Sequence, residues 1–224
     1  TYLRLDKDLS DFLQYMDKTF GKGNYLLFLS ADHGVANVPA FLMENKIPAG
    51  LFRQSNLLKE INELIETNFS VKRVVVNLQN SQLYLNNEEI NKSRKQSEIK
   101  GAIINYLKQQ PYILHVFETD KIASTAIPLK IKEMHINGYN PKRSGDIQFI
   151  PKAGYFDRGG PGSTHGAWNP YDSHIPLVWF GWKIKPGKTN RETYMTDIAP
   201  TLAAMLNIQM PSGSIGNVIQ EVMK

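Results

Sequence analysis

The chain has 224 residues, of which 42% are hydrophobic and 10% aromatic, so it can bury a sizeable core as one large domain or as one domain with an insertion. Its 26 Lys and Arg against 21 Asp and Glu give a formal charge of +5 that favours anionic substrates, but the basic residues are too scattered to indicate nucleic acid as a specific partner. Cysteine is absent, which excludes disulfides and thiolate metal sites, and no apolar run approaches the roughly 20 residues of a membrane span, so we expect no membrane partner.

The opening of the chain predicts a helix followed by a strand. Apolar residues recur at helical spacing in "LDKDLSDFLQYMDKTFGKG", and the pattern ends at Gly21. The next run, "NYLLFLS", is short and almost wholly apolar, which is typical of a strand buried on both faces in a parallel sheet. It stops abruptly at Asp32 and His33. This stop is either a structural turn or a strand end that delivers metal ligands.

The segment from residue 41 to residue 145 brings its own helices and strands. Residues 50–69 have the spacing of an amphipathic helix, and "VKRVVVNL" with "SQLYLN" is typical of a hairpin. A helix is predicted in "SEIKGAIINYLKQQ" and a strand in "YILHVFET". Because no catalytic-looking cluster falls here, we interpret residues 41–145 as an inserted α+β subdomain and residues 1–40 with 146–224 as the domain around it.

After the insertion the chain returns to the pattern of its opening. "HIPLVWFG" predicts another buried strand, and "TDIAPTLAAMLNI" predicts a helix with Thr196 or Asp197 at its cap. Helix-like and strand-like segments therefore alternate along the chain, which is the order of an α/β protein.

Two clusters have side chains suited to metal chemistry. Asp32 and His33 follow a strand, and His165 lies in the glycine-rich loop "DRGGPGSTHG" ahead of Asp172 and His174. Imidazole and carboxylate are ordinary zinc ligands, and loops at several strand ends can converge on one site. Each cluster alone is also compatible with a purely structural role. Their combination at strand ends favours metal binding.

Four motifs occur in an order that carries a family resemblance. "FLSADHG", "RSGDI", "GSTHG" with "PYDSHIPLVWFG", and "TDIAPTLAAMLNIQMPSGSIGNVI" resemble the carboxyl-terminal part of the alkaline phosphatase superfamily, in the branch of bacterial alkaline phosphatases related to type I phosphodiesterases and nucleotide pyrophosphatases. The resemblance extends over the whole chain. It implies an α/β fold with a mixed, mostly parallel sheet flanked by helices, an inserted small α+β subdomain, and a missing amino-terminal part.

The resemblance also implies a site with two zinc ions for phosphoryl transfer. Asp32 and His33 then bind one zinc ion, and His165 binds the other. Asp172 and His174 could form another ligand pair, but the resemblance implies that they support the loop. In the family the remaining zinc ligands and a Thr or Ser nucleophile precede the point at which this chain starts. We therefore expect a carboxyl-terminal fragment with no catalytic residue of its own, incomplete or absent zinc binding, and no activity alone.

Three hydroxyl groups lie beside these residues in the sequence. Ser30, Ser163 and Thr164 could act as a nucleophile within the chain, but we expect them to hydrogen-bond the backbone instead.

The function that follows from the resemblance is zinc-dependent hydrolysis of phosphate monoesters by the longer protein. Hydrolysis of phosphodiesters or nucleotide pyrophosphates is the alternative within the enzyme class, and a non-catalytic module that binds metal or a partner is the alternative outside it. A phosphate ester is the expected substrate, and the periplasm or the exterior is the location that the resemblance implies. Sheet surface left uncovered in a fragment predicts self-association.

Overall fold

A computed structural model describes residues 1–157 and 162–223 of the chain. Within them the α-helices are α1 (Tyr2–Phe20), α2 (Pro39–Glu44), α3 (Gln54–Phe69), α4 (Asn87–Ser93), α5 (Gln96–Lys108), α6 (Leu129–Gly138), α7 (Pro170–Ser173) and α8 (Ile198–Leu206). The strands are β1 (Leu26–Ser30), β2 (Gly50–Phe52), β3 (Val75–Gln79), β4 (Gln82–Leu85), β5 (Ile113–Glu118), β6 (Ile147–Pro151), β7 (Tyr155–Asp157) and β8 (Leu177–Gly181). Short 3₁₀ helices lie at Thr119–Ser124, Met195–Asp197 and Gln220–Val222. Helices and strands alternate, which confirms the α/β class.

The chain divides into two compact units. The first consists of Thr1–Asp32 and Pro176–Lys224, and the second consists of His33–Ile175. The predicted division into residues 1–40 with 146–224 and an inserted subdomain at 41–145 stays a prediction. None of the helices in the described ranges is long and apolar enough to cross a membrane.

In the first unit, β1 and β8 form a two-stranded antiparallel sheet in which Phe28 pairs with Trp179. Both strands were expected, but β1 is only half-buried and has no parallel neighbour among the described strands, so its predicted environment in this chain is wrong. The reason is physical: a short apolar run predicts a strand, but it contains no information on the direction of the strand that will pair with it.

The two helices of the first unit are buried to different degrees. Helix α8 begins after Asp197, as predicted, and it buries Ile198, Ala203 and Met205. Helix α1 ends at Gly21, whose φ of 86° is a conformation that glycine adopts readily, but it buries none of its residues. The apolar stripe of α1 is therefore exposed in the described structure.

The second unit is built on a four-stranded sheet with the order β3-β4-β6-β5, and all neighbouring strands in it are antiparallel. The predicted hairpin is confirmed as β3 and β4. Its turn is formed by Asn80 and Ser81, which have φ values of 52° and 60°. A two-residue hairpin turn with positive φ at both positions matches the right-handed twist of the strands.

Helices α3 and α5 pack on this sheet and bury its main core. Leu57, Ile61 and Ile65 of α3 are buried at the predicted helical spacing. The helix begins at Gln54, however, and not at residue 50 as predicted, because Gly50–Phe52 forms β2 and pairs in parallel with β7. Pairing with a distant strand has overridden the local helical pattern here.

A smaller hydrophobic cluster lies beside the main core in the second unit. It contains the buried residues Phe117, Ile122, Ile131 and Ile150. Trp168, from the loop that follows His165, packs against this cluster. The loop is therefore anchored on the same unit that contains the four-stranded sheet.

Candidate functional site

The first predicted ligands lie just beyond the end of strand β1. The strand ends at Ser30, whose hydroxyl donates a hydrogen bond to the Pro176 carbonyl oxygen at 3.0 Å within the first unit. Asp32 is exposed and is the last residue of that unit, and His33 is the first residue of the second unit.

The imidazole rings of His33 and His165 are stacked. Their centroids are 3.4 Å apart and their planes are 7° from parallel. The His33 side chain is partly buried, whereas His165 is exposed. The structure thus brings together two of the three predicted metal ligands, which are far apart in the sequence but belong to the same unit.

The orientation of the His33 ring is fixed by its own backbone. Its Nδ1 lies 2.6 Å from the Gly34 carbonyl oxygen. Because a carbonyl can only accept, Nδ1 has to carry a proton, and in the neutral ring Nε2 is then the nitrogen with the lone pair. A backbone hydrogen bond of this kind commonly orients a metal-binding histidine.

The two loops that carry these histidines are hydrogen-bonded to each other. The Gly34 amide donates to the Asp172 carbonyl oxygen at 2.7 Å, and the Ala36 amide donates to the Thr164 carbonyl oxygen at 3.4 Å. The Ser163 hydroxyl donates to the Ala36 carbonyl oxygen. The backbone role expected for Ser30 and Ser163 is therefore confirmed.

Glycine is required at position 34 because another part of the backbone lies very close to it. A Cβ atom there would lie 2.1 Å from the Tyr171 carbonyl oxygen. No other residue fits this contact without movement of one of the loops. The sequence places Gly34 in the motif, but it does not reveal what approaches it.

Asp172 is the most deeply buried acidic residue beside the two histidine loops. It is 3% exposed, and its Oδ2 accepts a hydrogen bond from the Ala167 amide at 2.7 Å. Its Oδ1 is buried and has no hydrogen-bond partner among the described residues. The resemblance implies that Asp172 supports its own loop, and the structure adds its contact with the loop of His33, which the sequence does not reveal.

Tyr171 lies next to Asp172 in α7, and its side chain is neutral. Burial, reinforced by the Asp172 carboxylate, raises the pKa of the Tyr171 phenol, although hydrogen bonds from Gly154 and Asn169 oppose the shift. Its hydroxyl accepts from the Gly154 amide at 3.3 Å and from the Asn169 side chain at 2.9 Å. The contacts tie the loop to the segment before β7.

The described residues supply only part of a metal site. No group of three or more His, Asp or Glu side chains in residues 1–157 and 162–223 is placed to hold a metal ion. The predicted loop residues 158–161 lie outside the described residues. His174 lies at the end of α7 and His115 lies on β5.

The donor groups that are present fit two neighbouring ions better than one shared ion. An imidazole binds a metal through a lone pair that lies in the ring plane. Two parallel rings 3.4 Å apart therefore direct their lone pairs along separate planes. Two-metal sites have ion separations of about 3.5–4 Å, which is close to this ring spacing.

A sequence model of one family matches most of the chain. The model of "Type I phosphodiesterase / nucleotide pyrophosphatase" matches residues 1–174. This range includes both histidines of the stacked pair and Asp172.

Curated relatives match nearly the whole chain. Alkaline phosphatase PhoV of Synechococcus elongatus is 49% identical over 228 residues, which is 100% of this chain and 40% of the relative. Alkaline phosphatase PafA of Elizabethkingia meningoseptica is 46% identical over 224 residues, covering 99% of this chain and 41% of the relative. A protein of Myroides odoratus named calcium-transporting ATPase is 46% identical over 227 residues, covering 100% and 41%. The chain thus spans about 40% of the length of these relatives.

A solved structure has the same fold over the whole chain. The crystal structure of wild-type alkaline phosphatase PafA superposes with a TM-score of 0.94 at 45% identity, covering 100% of this chain and 43% of that one.

Proposed function

The chain belongs to the type I phosphodiesterase / nucleotide pyrophosphatase family, and we propose that it supplies part of the active site of a zinc-dependent phosphate monoester hydrolase. In this proposal Asp32 and His33 bind one zinc ion and His165 binds the other. The nucleophile and the remaining ligands come from residues outside these 224. The chain alone is inactive, and the longer protein acts in the periplasm or outside the cell.

The observation that carries the proposal is the stacked pair of His33 and His165. Parallel rings at 3.4 Å suit one ligand on each of two adjacent ions. Zinc is the proposed metal because imidazole with carboxylate is a common set of ligands for this ion, and a chain without cysteine can offer it only these. The two relatives named alkaline phosphatases support the reaction class.

In this proposal the residues of this chain hold and orient the metal ions, and none of them takes part in breaking a bond. When bound, two zinc ions would stabilise the charge on the attacking and leaving oxygens of a phosphate ester. The hydrogen bond between Nδ1 of His33 and the Gly34 carbonyl oxygen orients the ring, so that Nε2 is the nitrogen that would bind the metal ion. The contact of Gly34 with Asp172 then holds this loop against the loop that carries His165.

Hydrolysis of phosphodiesters or nucleotide pyrophosphates is the second candidate. The observation in its favour is the family whose model matches residues 1–174, because that family is described by these two activities. The two relatives that are named alkaline phosphatases, PhoV and PafA, favour the monoester instead.

The test compares the product of the full reading frame with residues 1–224, each with added zinc. Substrates are p-nitrophenyl phosphate for monoesters and bis-p-nitrophenyl phosphate for diesters. We expect the longer protein to hydrolyse the monoester faster and His33→Asn or His165→Asn to reduce its turnover by at least about 100-fold, and we expect the short chain to be inactive. The matched control is His115→Asn on β5, which should keep full turnover.

Other outcomes would contradict separate parts of the proposal. Faster hydrolysis of the diester would favour the second candidate. Activity in residues 1–224 alone would place a nucleophile inside the chain. A longer protein that is inactive on both substrates would favour a non-catalytic binding module.

A further inference from the structure

Asp172 contacts both of the loops that carry the stacked histidines. Its carbonyl oxygen accepts from the amide of Gly34, which follows His33 directly. Its Oδ2 accepts from the amide of Ala167, which is two residues after His165. One residue therefore hydrogen-bonds the backbone beside each ring.

The second carboxylate oxygen of Asp172 indicates a further role. The residue is 3% exposed, and Oδ1 is buried without a hydrogen-bond donor among the described residues. A buried carboxylate oxygen left without a donor is unfavourable, because it has lost its water and gained no hydrogen bond in return. Such an atom in a native protein calls for a partner, which can be a donor group, a water molecule or an ion.

Two N–H donors of the loop that carries His165 have no hydrogen-bond partner among the described residues, and these are the buried Nε1 of Trp168 and the ring of His165. The metal-binding role proposed for His165 favours its ring as the donor to Oδ1. The Nδ1–H of His33 is already used by the Gly34 carbonyl oxygen. The ring of His165 stacks on His33, and within the described part of the chain no hydrogen bond to its nitrogens is found. A metal-binding histidine nearly always donates its other N–H to a carboxylate, a carbonyl or water, and such a partner fixes the ring and makes it a better ligand.

We propose that Asp172 is a positioning residue that joins the two histidine loops through its carbonyl oxygen and Oδ2, and that its Oδ1 accepts the imidazole N–H of His165 when that ring binds a metal ion. The acceptor half rests on the proposed function, because it requires His165 to be a metal ligand. The joining half does not, because it follows from the two backbone amides. A rotation of the His165 side chain or a small movement of its loop has to bring the two atoms together.

The test uses the product of the full reading frame, because residues 1–224 alone are expected to bind zinc incompletely or not at all, and Zn²⁺ alone is the probe. Asp172→Asn keeps an oxygen for the Ala167 amide but removes the negative charge, whereas Asp172→Ala removes both. The matched control is Asp146→Asn. Asp146 also accepts a backbone amide through its carboxylate, from Leu85 at 2.8 Å, but it lies directly before β6 of the four-stranded sheet. The readouts are Zn²⁺ affinity by chelator competition, amide hydrogen exchange, and the imidazole N–H signal of His165 by NMR.

We expect Asp172→Asn to keep the Ala167 amide protected from hydrogen exchange and to weaken Zn²⁺ binding by about 10–100-fold. It should also abolish the imidazole N–H signal of His165 in the zinc-bound protein. Asp146→Asn should change none of these. Asp172→Ala should speed exchange at both Ala167 and Gly34, although the carbonyl oxygen that Gly34 contacts is still there.

Different outcomes would contradict the acceptor role and the joining role of Asp172. Equal Zn²⁺ affinity in Asp172→Asn and Asp146→Asn would overturn the acceptor role. Faster exchange at Ala167 with unchanged exchange at Gly34 would overturn the joining role. If the unsubstituted longer protein binds no Zn²⁺, the metal site of the proposed function and the acceptor role are both wrong, and the exchange data still decide the joining role.

Discussion

The imidazole ring of His33 lies flat against that of His165, with 3.4 Å between the ring centroids. His33 is the first residue of its unit and His165 lies close to the end of it, so the contact joins two distant parts of one compact body. The two loops that carry these rings are hydrogen-bonded to each other, which holds the rings in this arrangement. We expect the stack to contribute to the stability of the loops besides any role in binding metal.

Replacement of one ring separates the stacking role from the metal-binding role. Without added metal, His165→Phe should retain the stack and unfold like the unsubstituted chain, whereas His165→Ala should lose about 0.5–1.5 kcal/mol, the usual contribution of an aromatic pair. Chemical denaturation in the presence of a chelator measures both. Equal destabilisation by Phe and Ala would show that the stack does not stabilise the loops.

The contact at Gly34 leads to a second prediction. Gly34→Ala places a Cβ atom 2.1 Å from the Tyr171 carbonyl oxygen, so one of the loops has to move. We expect a loss of about 1–3 kcal/mol in the free energy of unfolding, as for other overpacked positions. The matched control is Gly101→Ala in helix α5, where nothing lies within 4 Å of the added atom.

The control should have the opposite sign. Alanine in a helix interior is favoured over glycine by about 0.5–1 kcal/mol, so Gly101→Ala should stabilise the chain. Denaturant midpoints of both variants test the pair. A neutral Gly34→Ala would mean that the loops are far more adaptable than the close contact indicates.

The sequence predicted the elements of this fold better than their partners. The buried face of α3 follows from the spacing of Leu57, Ile61 and Ile65, because helical periodicity is a local property. The partner of β2 does not, because Gly50–Phe52 pairs with residues that are about 100 positions away and outweigh the local pattern. The same limit explains why β1 was expected to have parallel neighbours.

In the candidate site, too, residue types could be recognised in the sequence, whereas the contacts between distant residues could not. Asp32, His33 and His165 were singled out by residue type and by their place after a strand or in a glycine-rich loop, and their roles as metal ligands, which the family resemblance implies, stay a prediction. The approach of one histidine loop to the other depends on Gly34 and Asp172, and that contact exists only in the folded chain. An acidic residue in a loop has no local signal that distinguishes a buried acceptor from an ordinary surface charge.

The core of the second unit should be sensitive to cavities. Ile103 of α5 has no exposed surface. Ile103→Ala should lower the free energy of unfolding by about 2–5 kcal/mol and Ile103→Val by about 0.5–1.5 kcal/mol, because both leave unfilled space in a packed core. Asn105→Ala, at an exposed position of the same helix, should change it by no more than about 0.5 kcal/mol. Equal denaturant midpoints for Ile103→Ala and Asn105→Ala would contradict this packing.

His135 should make the stability of its unit depend on pH. Burial lowers the pKa of His135, which packs edge-on against Phe117 at 5.3 Å. The unfolded chain, with an ordinary histidine pKa of about 6.5, therefore binds a proton more readily than the folded chain does. The stability that neutral His135 contributes is present above the unfolded pKa and is lost as the pH falls from there to the lowered folded pKa.

A substitution isolates this contribution. His135→Gln should reduce the loss of stability between pH 7.5 and about pH 5.5, as measured by denaturant midpoints. Met134→Gln, a neutral change at the neighbouring exposed position, should keep the full pH dependence. If both variants behave like the unsubstituted chain, His135 is not the residue that titrates.

The first unit has an apolar sheet face that should promote self-association of the 224-residue chain. Leu29 pairs with Val178 and Leu27 pairs with Phe180, so these side chains lie on one face of the β1–β8 sheet. Leu29, Val178 and Phe180 are 46%, 49% and 43% exposed. We expect static light scattering to give a mass that rises with concentration, because contiguous exposed apolar surface tends to be buried between molecules.

The double variant Leu29→Lys with Phe180→Lys should restore a constant monomer mass, since charges on such a surface oppose association. Lys59→Gln, at an exposed position of α3, is the control and should associate like the unsubstituted chain. A constant monomer mass in the unsubstituted chain would contradict the prediction, and association that persists in the double variant would assign it to another surface, such as the exposed apolar stripe of α1.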